Sequence, residues 1–156
     1  IKRLSERAIL PAYAPEGAAC FDLHACPPAN VALHRPPGAK DATVVVSTGL
    51  TFEVPEGHVM LIYSRSGHGF NENTRLANCV GVIDSDYRGE VKVKLTRDDA
   101  GGLHVVHGSR IAQAMIVPIP RVELIEVGEL SDTERGAGGF GSTGDGALNG
   151  DGNESW

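Results

Sequence analysis

No stretch free of both glycine and proline exceeds 11 residues anywhere in this 156-residue chain. Long helices are therefore excluded, and a helical bundle with them. Cysteine is scarce and scattered: Cys20, Cys26 and Cys79 form an odd set without CxxC spacing. They suit neither a zinc site nor a disulfide framework, and reduced thiols in a cytoplasmic setting are the expectation. No apolar run reaches the roughly 18–20 residues a membrane span needs, and no charged-then-apolar signal segment stands at the start. The sequence opens on Ile1 rather than Met, as after a removed start. Basic residues are the minority, 14 against 20 acidic, giving a net charge of −6. That balance argues against coating nucleic acid, and an anionic ligand would need a local positive site.

What is present fits one domain with a core: 41% apolar and 22% charged residues, ordinary for a globular chain. Strand-like segments recur between Gly/Pro turns, at Leu50–Val54, Val59–Tyr63, Leu103–Val106, Ile111–Val117 and Val122–Val127. Val91, Val93 and Leu95 alternate with Lys92, Lys94 and Thr96, the period of a half-buried strand. Ile111–Val117 is apolar on both faces, as a central strand would be. These features predict an all-β sandwich, barrel or jelly roll with one short helical turn near Ser66–Asn71. A surface loop is expected at Arg35–Ala42. The core is expected over residues 1–128, and a C-terminal arm over 129–156. Of the 20 glycines, eight fall within the last 21 residues.

Five segments can carry chemistry. GVIDSDYRGE (Gly81–Glu90) sends an apolar strand, Val80–Ile83, into a turn bearing Asp84, Asp86 and Tyr87. It reads equally as a solvated hairpin tip or as a carboxylate activating water beside an aromatic platform. SRSG (Ser64–Gly67) is either a surface loop or an anion site, with a guanidinium fork, hydroxyls and glycine amides. GSRIAQ (Gly108–Gln113) places Arg110 and Gln113 at the mouth of an apolar strand, for core hydrogen bonding or for a ligand. In AACFDLHA (Ala18–Ala25), Asp22 reads as a structural carboxylate paired with an arginine. RGAGGFGSTG (Arg135–Gly144) has five glycines in ten residues beside Arg135, Phe140, Ser142 and Thr143. A plain linker does not need those side chains, and closure over a phosphate with Phe140 stacked on a base is the better reading. No Lys follows the glycines, so it is not a P-loop. Together the segments suggest a nucleoside-triphosphate site.

In order and type, the motifs AACFDLHA, SRSG, NCVGVIDSDYRGE, GSRIAQ and RGAGGFGSTG resemble those of the trimeric dUTPases (deoxyuridine triphosphate nucleotidohydrolases). They span residues 18–144, with two departures: Cys20 where glycine is usual, and His68–Thr74 in place of a leucine-alanine helix start. The resemblance implies a distorted jelly roll (the β-clip type) with a flexible C-terminal arm, assembled as a homotrimer with active sites shared between subunits. It implies hydrolysis of dUTP to dUMP and pyrophosphate, which limits uracil entry into DNA and supplies dUMP for dTMP synthesis. By position, Asp84 would hold the attacking water, and Tyr87 would exclude a 2′-hydroxyl. Asn78 with the backbone of Gly81, Val82 and Ile83 would read the uracil edge. Arg65, Ser66, Gly67 and Gln113 would hold phosphates, and Arg135, Gly141, Ser142 and Thr143 would close over their far end. Phe140 would stack on uracil, and Asp22 would be a supporting acid. Mg²⁺ would be held through phosphates and water rather than by protein ligands. Residues 135–144 would be a lid and 145–156 a solvated tail without a motif. A dCTP deaminase-like or bifunctional enzyme is the alternative, as is a dUTPase with an added protein-binding regulatory role.

Overall fold

The computed structural model describes residues 1–28, 33–35, 43–99, 101–139 and 142. Eleven strands and one helix are formed among them. In chain order these are β1 (Lys2–Arg3), β2 (Phe21–His24), β3 (Leu33–Arg35), β4 (Val44–Ser47), β5 (Leu50–Thr51) and β6 (His58–Tyr63). There follow α1 (Ser66–Glu72), β7 (Thr74–Leu76), β8 (Val80–Ile83), β9 (Lys92–Arg97), β10 (Leu103–Val105) and β11 (Arg110–Pro118). The architecture is mostly β, as the strand and turn pattern predicts, and it fits the jelly roll that the resemblance implies.

Two sheets carry the core, a four-stranded one in the order β2-β11-β6-β8 and a three-stranded one in the order β4-β9-β7. Every pairing in them is antiparallel. Alternation decides the inner faces. In β9, Val93 and Leu95 are buried while Lys92 and Lys94 face out, and in β4 Val44 and Val46 are buried around exposed Val45. The four-stranded sheet contributes Phe21, Leu23, Met60, Ile62, Ala112 and Ala114 to the same cluster. At about 25 cal/mol per Å² of apolar surface, this shared core is the main favourable term for the fold. β11 lies between β2 and β6, the central position its two apolar faces imply.

The helix is short because Gly67 and Gly69 weaken it, and none of its residues is buried. It stops at Asn73, which takes the left-handed conformation at φ 47° and donates its N–H to the His68 carbonyl. Nδ2 of Asn73 then donates to Asp99 at 2.9 Å, tying the helix end to the end of β9.

Two strand expectations and one loop expectation change. Val122–Val127 forms no strand: Val122, Leu124, Ile125 and Val127 are exposed and find no ladder partner among the described residues. Pro118 ends β11 and Pro120 lacks an N–H, so the ladder cannot continue into that run. Of Leu50–Val54 only Leu50–Thr51 is paired, although Phe52 and Val54 are buried. Arg35 belongs to β3 rather than to a loop, and positions 36–42 lie outside the described residues. The chain divides into two compact units, Ile1–Arg121 and Val122–Trp156.

Candidate active site

The register of the four-stranded sheet sets Asp22, Gln113, Tyr63 and Val80 in one row across all its strands. Residues paired in register share a face, and this row lies on the face away from the core. A cationic cluster is built at the β2 end. Nε of Arg65 donates to Oδ1 of Asp22 at 2.8 Å, and Nη1 of Arg110 approaches Oδ2 at 3.4 Å. A bulge in β11 between Arg110 and Ala112 turns Arg110 toward this row. One carboxylate thus orients two guanidiniums whose remaining N–H groups can meet an anion.

Gln113 serves the same corner from below. Its Nε2 donates to the Ser64 carbonyl at 2.9 Å, and the Ser64 hydroxyl accepts the Leu76 N–H at 2.9 Å. These bonds fix the exit of β6, from which Arg65 leads into Ser66 and Gly67 in the first turn of α1. Early N–H groups of a helix have no intrahelical partner and can face an acceptor. Arg110 and Ser64, which their motifs offered for hydrogen bonding or a ligand, belong to this corner, and so do two histidines, His24 and His68, that had no role from the sequence. Burial first of all holds the pKa of His24 below the ordinary histidine value; Asp22 opposes that shift, and Arg110 and Arg65 reinforce it. His68 is lowered mainly by burial too, with Glu72 and Asp22 opposing and Arg65 reinforcing. Their signal was their position inside or directly after a motif; no periodicity marks them.

At the opposite edge of the sheet, β8 borders a cleft of about 280 Å³, with Asn78, Gly81, Val82 and Ile83 lining it over Ile62 and Leu76. Gly81 faces Ile62, and a methyl group there would come 3.1 Å from the Ile62 Cβ, so glycine lets β8 lie close on β6. The turn into β8 is tight: Cys79 has φ 62°, and Val80 donates its N–H to the Asn78 carbonyl at 2.7 Å. Nδ2 of Asn78 donates to the Val80 carbonyl at 3.1 Å, holding that amide at the cleft.

Beyond β8, residues 84–90 do not form the tip of a hairpin, contrary to the expectation. β8 pairs only with β6, whereas β9 pairs with β4 and β7, so this segment crosses from one sheet to the other. The crossing displays Asp84 and Tyr87 at the end of the cleft-lining strand, both exposed. Tyr87 donates its N–H to the Asp84 carbonyl at 3.2 Å, and its hydroxyl to the Glu90 carbonyl at 3.2 Å.

Arg135 and Ser142 lie in the second unit, where Gly138 donates to the Arg135 carbonyl at 3.0 Å and Ser142 to that of Gly139 at 3.0 Å. Gly136 has φ 51°, a conformation glycine tolerates without strain. Phe140, Gly141 and Thr143 lie outside the described residues. Among the described residues no group of three or more His, Cys, Asp or Glu side chains is placed to hold a metal ion, and no helix is long and apolar enough to cross a membrane.

A family model described as dUTPase matches residues 6–144. The deoxyuridine 5′-triphosphate nucleotidohydrolase of Nautilia profundicola is 46% identical over 144 residues, covering 92% of this chain and 96% of that protein. The protein of the same name from Rhizobium meliloti is 47% identical over 135 residues, covering 86% and 82%. Among solved structures, a Staphylococcus bacteriophage 80alpha dUTPase with dUPNHPP superposes with a TM-score of 0.80. It is 28% identical, and the match covers 92% of this chain and 96% of that one.

Proposed function

This chain belongs to the dUTPase family, and from that premise we propose how its residues perform the reaction. It is a dUTP diphosphatase that hydrolyses dUTP to dUMP and pyrophosphate. The observation that carries the reading is the cleft lined by Asn78 and β8, the strand whose chain continues directly into Asp84 and Tyr87.

Uracil enters that cleft, where the Asn78 amide and the backbone of Gly81, Val82 and Ile83 offer donors and acceptors to its edge. Tyr87 lies against the deoxyribose and leaves no room for a 2′-hydroxyl, the atom that separates ribonucleotides from deoxyribonucleotides. Asp84 holds a water in line with the α-phosphorus. As the water oxygen bonds to phosphorus, the bond from phosphorus to the bridging oxygen breaks, and pyrophosphate leaves with the electron pair. The water's proton passes to the Asp84 carboxylate. A carboxylate is a weak base, so the main service of Asp84 is orientation. The rest of the acceleration comes from placement and charge neutralisation. Arg65, oriented by Asp22, works with Ser66 and Gly67 on the phosphates, and Gln113 holds their segment in place.

Mg²⁺ fits this site as a passenger on the triphosphate. Both Asp22 oxygens are taken by arginines, so Mg²⁺, which readily keeps several waters, would be held through the substrate phosphates and water. Bound there, it would neutralise phosphate charge, and no protein carboxylate is needed to hold it.

The assembly is a homotrimer with shared sites. Two observations favour it: the arginine cluster and the uracil cleft lie at opposite edges of one sheet, and Met115, Leu61 and Val82 form an apolar row on that sheet's outer face. Val82 is 60% exposed, which a neighbouring subunit would cover in a closed ring of heterologous contacts. Residues 129–156 serve as the arm, with Arg135, Phe140, Gly141, Ser142 and Thr143 closing over the bound nucleotide as a lid. Three free cysteines favour a reducing, cytoplasmic location. The deciding experiment is a product assay on dUTP, dCTP, dTTP and UTP with and without Mg²⁺. Release of dUMP and pyrophosphate from dUTP alone is expected, and hydrolysis of all four at similar rates would refute the site assignment.

A further inference from the structure

Glu90 closes the third motif, yet the reaction as derived leaves it without a task. Its side chain is only 22% exposed, and a carboxylate drawn that far from water needs partners. It has two. Oε1 accepts the Gly49 N–H at 3.0 Å, and Oε2 lies 3.5 Å from Nζ of Lys92. Gly49 is a firm anchor. It turns the chain from β4 into β5 at φ 68°, and a methyl group there would come 3.0 Å from Cβ of Ala8 and 3.1 Å from Sγ of Cys26. Its carbonyl accepts the Leu4 N–H at 2.8 Å.

The neighbours of Glu90 are fastened to the same corner. Thr51 donates its hydroxyl to the Arg88 carbonyl at 2.8 Å, Thr48 to the Val91 carbonyl at 2.6 Å, and Val91 its N–H to the Leu50 carbonyl at 2.9 Å. The Glu90 carbonyl, held by these bonds, accepts the Tyr87 hydroxyl. The Tyr87 ring lies directly on Gly89, where an added Cβ would fall 2.5 Å from the ring's Cζ. The ring is therefore positioned from two sides, by the bare backbone of Gly89 beneath it and by the Glu90 carbonyl at its hydroxyl.

We infer that Glu90 is a positioning residue for Tyr87: its carboxylate, anchored on the Gly49 N–H, fixes the ring and so sets the preference for dUTP over UTP. This rests on the reading of Tyr87 as the platform that excludes a 2′-hydroxyl. Exclusion of one oxygen atom depends on ring placement to within about an ångström, and displacements of that size change rates by about a hundredfold elsewhere. Glu90 touches no substrate in this scheme and acts only through Tyr87.

The test is the ratio of kcat/KM for dUTP to that for UTP, with melting curves, in Glu90→Ala, Glu90→Gln and Tyr87→Ala. A general structural loss lowers both substrates together and leaves the ratio alone. Glu90→Ala is expected to lower the ratio by roughly tenfold or more, a discrimination change of the size one misplaced contact produces. Glu90→Gln should stay within about twofold, because its amide oxygen still accepts from Gly49. If Glu90→Ala does not melt cooperatively, Tyr87→Phe takes its place: it deletes only the bond to the Glu90 carbonyl and should move the ratio the same way. A wild-type ratio in folded Glu90→Ala, or in Tyr87→Phe where that variant stands in, overturns the inference. So does an equal loss in Glu90→Ala and Glu90→Gln, which would assign the effect to the ion pair with Lys92. If Tyr87→Ala collapses the ratio while Glu90→Ala keeps it, the inference fails and the platform reading stands. If Tyr87→Ala leaves the ratio unchanged, both fall.

Discussion

Asp22 and Arg65 are 43 residues apart in sequence and joined by a 2.8 Å hydrogen bond between Oδ1 and Nε. With each side chain less than a quarter exposed, the pair is partly withdrawn from water, where removing one partner leaves the other charge uncompensated. Asp22→Ala is expected to raise KM for dUTP at least several-fold. It should also lower unfolding free energy by about 1.5–3 kcal/mol, the range for hydrogen bonds to charged groups. Asp22→Asn retains an acceptor and should lose less on both counts. Urea unfolding and steady-state kinetics on the two variants check this, and an unchanged KM in Asp22→Ala would remove Asp22 from phosphate positioning.

Asp84→Asn keeps the shape of the side chain and removes its basicity. Turnover should fall by about 10²–10⁴, the usual worth of a positioned general base. Affinity for a non-hydrolysable dUTP analogue, read by calorimetry, should stay within a few-fold of wild type. Near-normal turnover would reject the assigned role.

Gly81→Ala puts a methyl group 3.1 Å from the Ile62 Cβ, tighter than ordinary packing, so β8 or Ile62 must give by a few tenths of an ångström. The cleft wall then shifts, and KM for dUTP should rise while kcat changes little. Crowding of a packed site costs about 1–3 kcal/mol, so a melting curve should register it as well. A variant with wild-type KM would show that β8 does not line the base site.

Acid should weaken this fold through His24 and His68. Burial lowers both pKa values in the folded protein, so the unfolded chain, titrating near its reference of ~6.5, binds protons that the folded chain refuses. Stability contributed by these neutral rings is complete above the unfolded value. It declines as pH drops below it, and the decline ends once pH lies below the lowered folded values. Urea midpoints between pH 8 and pH 5 should show this slope. It should flatten in a His24→Gln, His68→Gln double variant, and an unaltered slope there would assign it to other groups.

Sedimentation should give about three times the 16.4 kDa chain mass. Leu61→Glu, in the middle of the apolar row, should reduce that to a single chain and abolish activity at the shared sites. An active single-chain form would refute the shared-site reading.

Much of the sheet structure was legible because alternation forces it. β9 shows its lysines outward and its valine and leucine inward, and β11 is central because it is apolar on both faces. The shortest strands were harder to see. β1 has two residues and β7 has three; at that length tertiary pairing outweighs any local pattern. Val122–Val127 misled in the other direction. Apolar residues make a strand only where another strand supplies hydrogen bonds, and among the described residues none does so.

The sequence by itself determined the family and the chemical inventory: the acids, arginines and tyrosine, and the glycines that permit close approach. Such information is local, written in runs of four to thirteen residues, and survives without coordinates. Only the tertiary structure decided which groups meet. Asp22 reaches Arg110 across 88 positions, residues 84–90 join two sheets instead of closing one hairpin, and Glu90 finds Gly49 across 41. No local pattern encodes those contacts, because strand register and sheet order follow from burying one shared core.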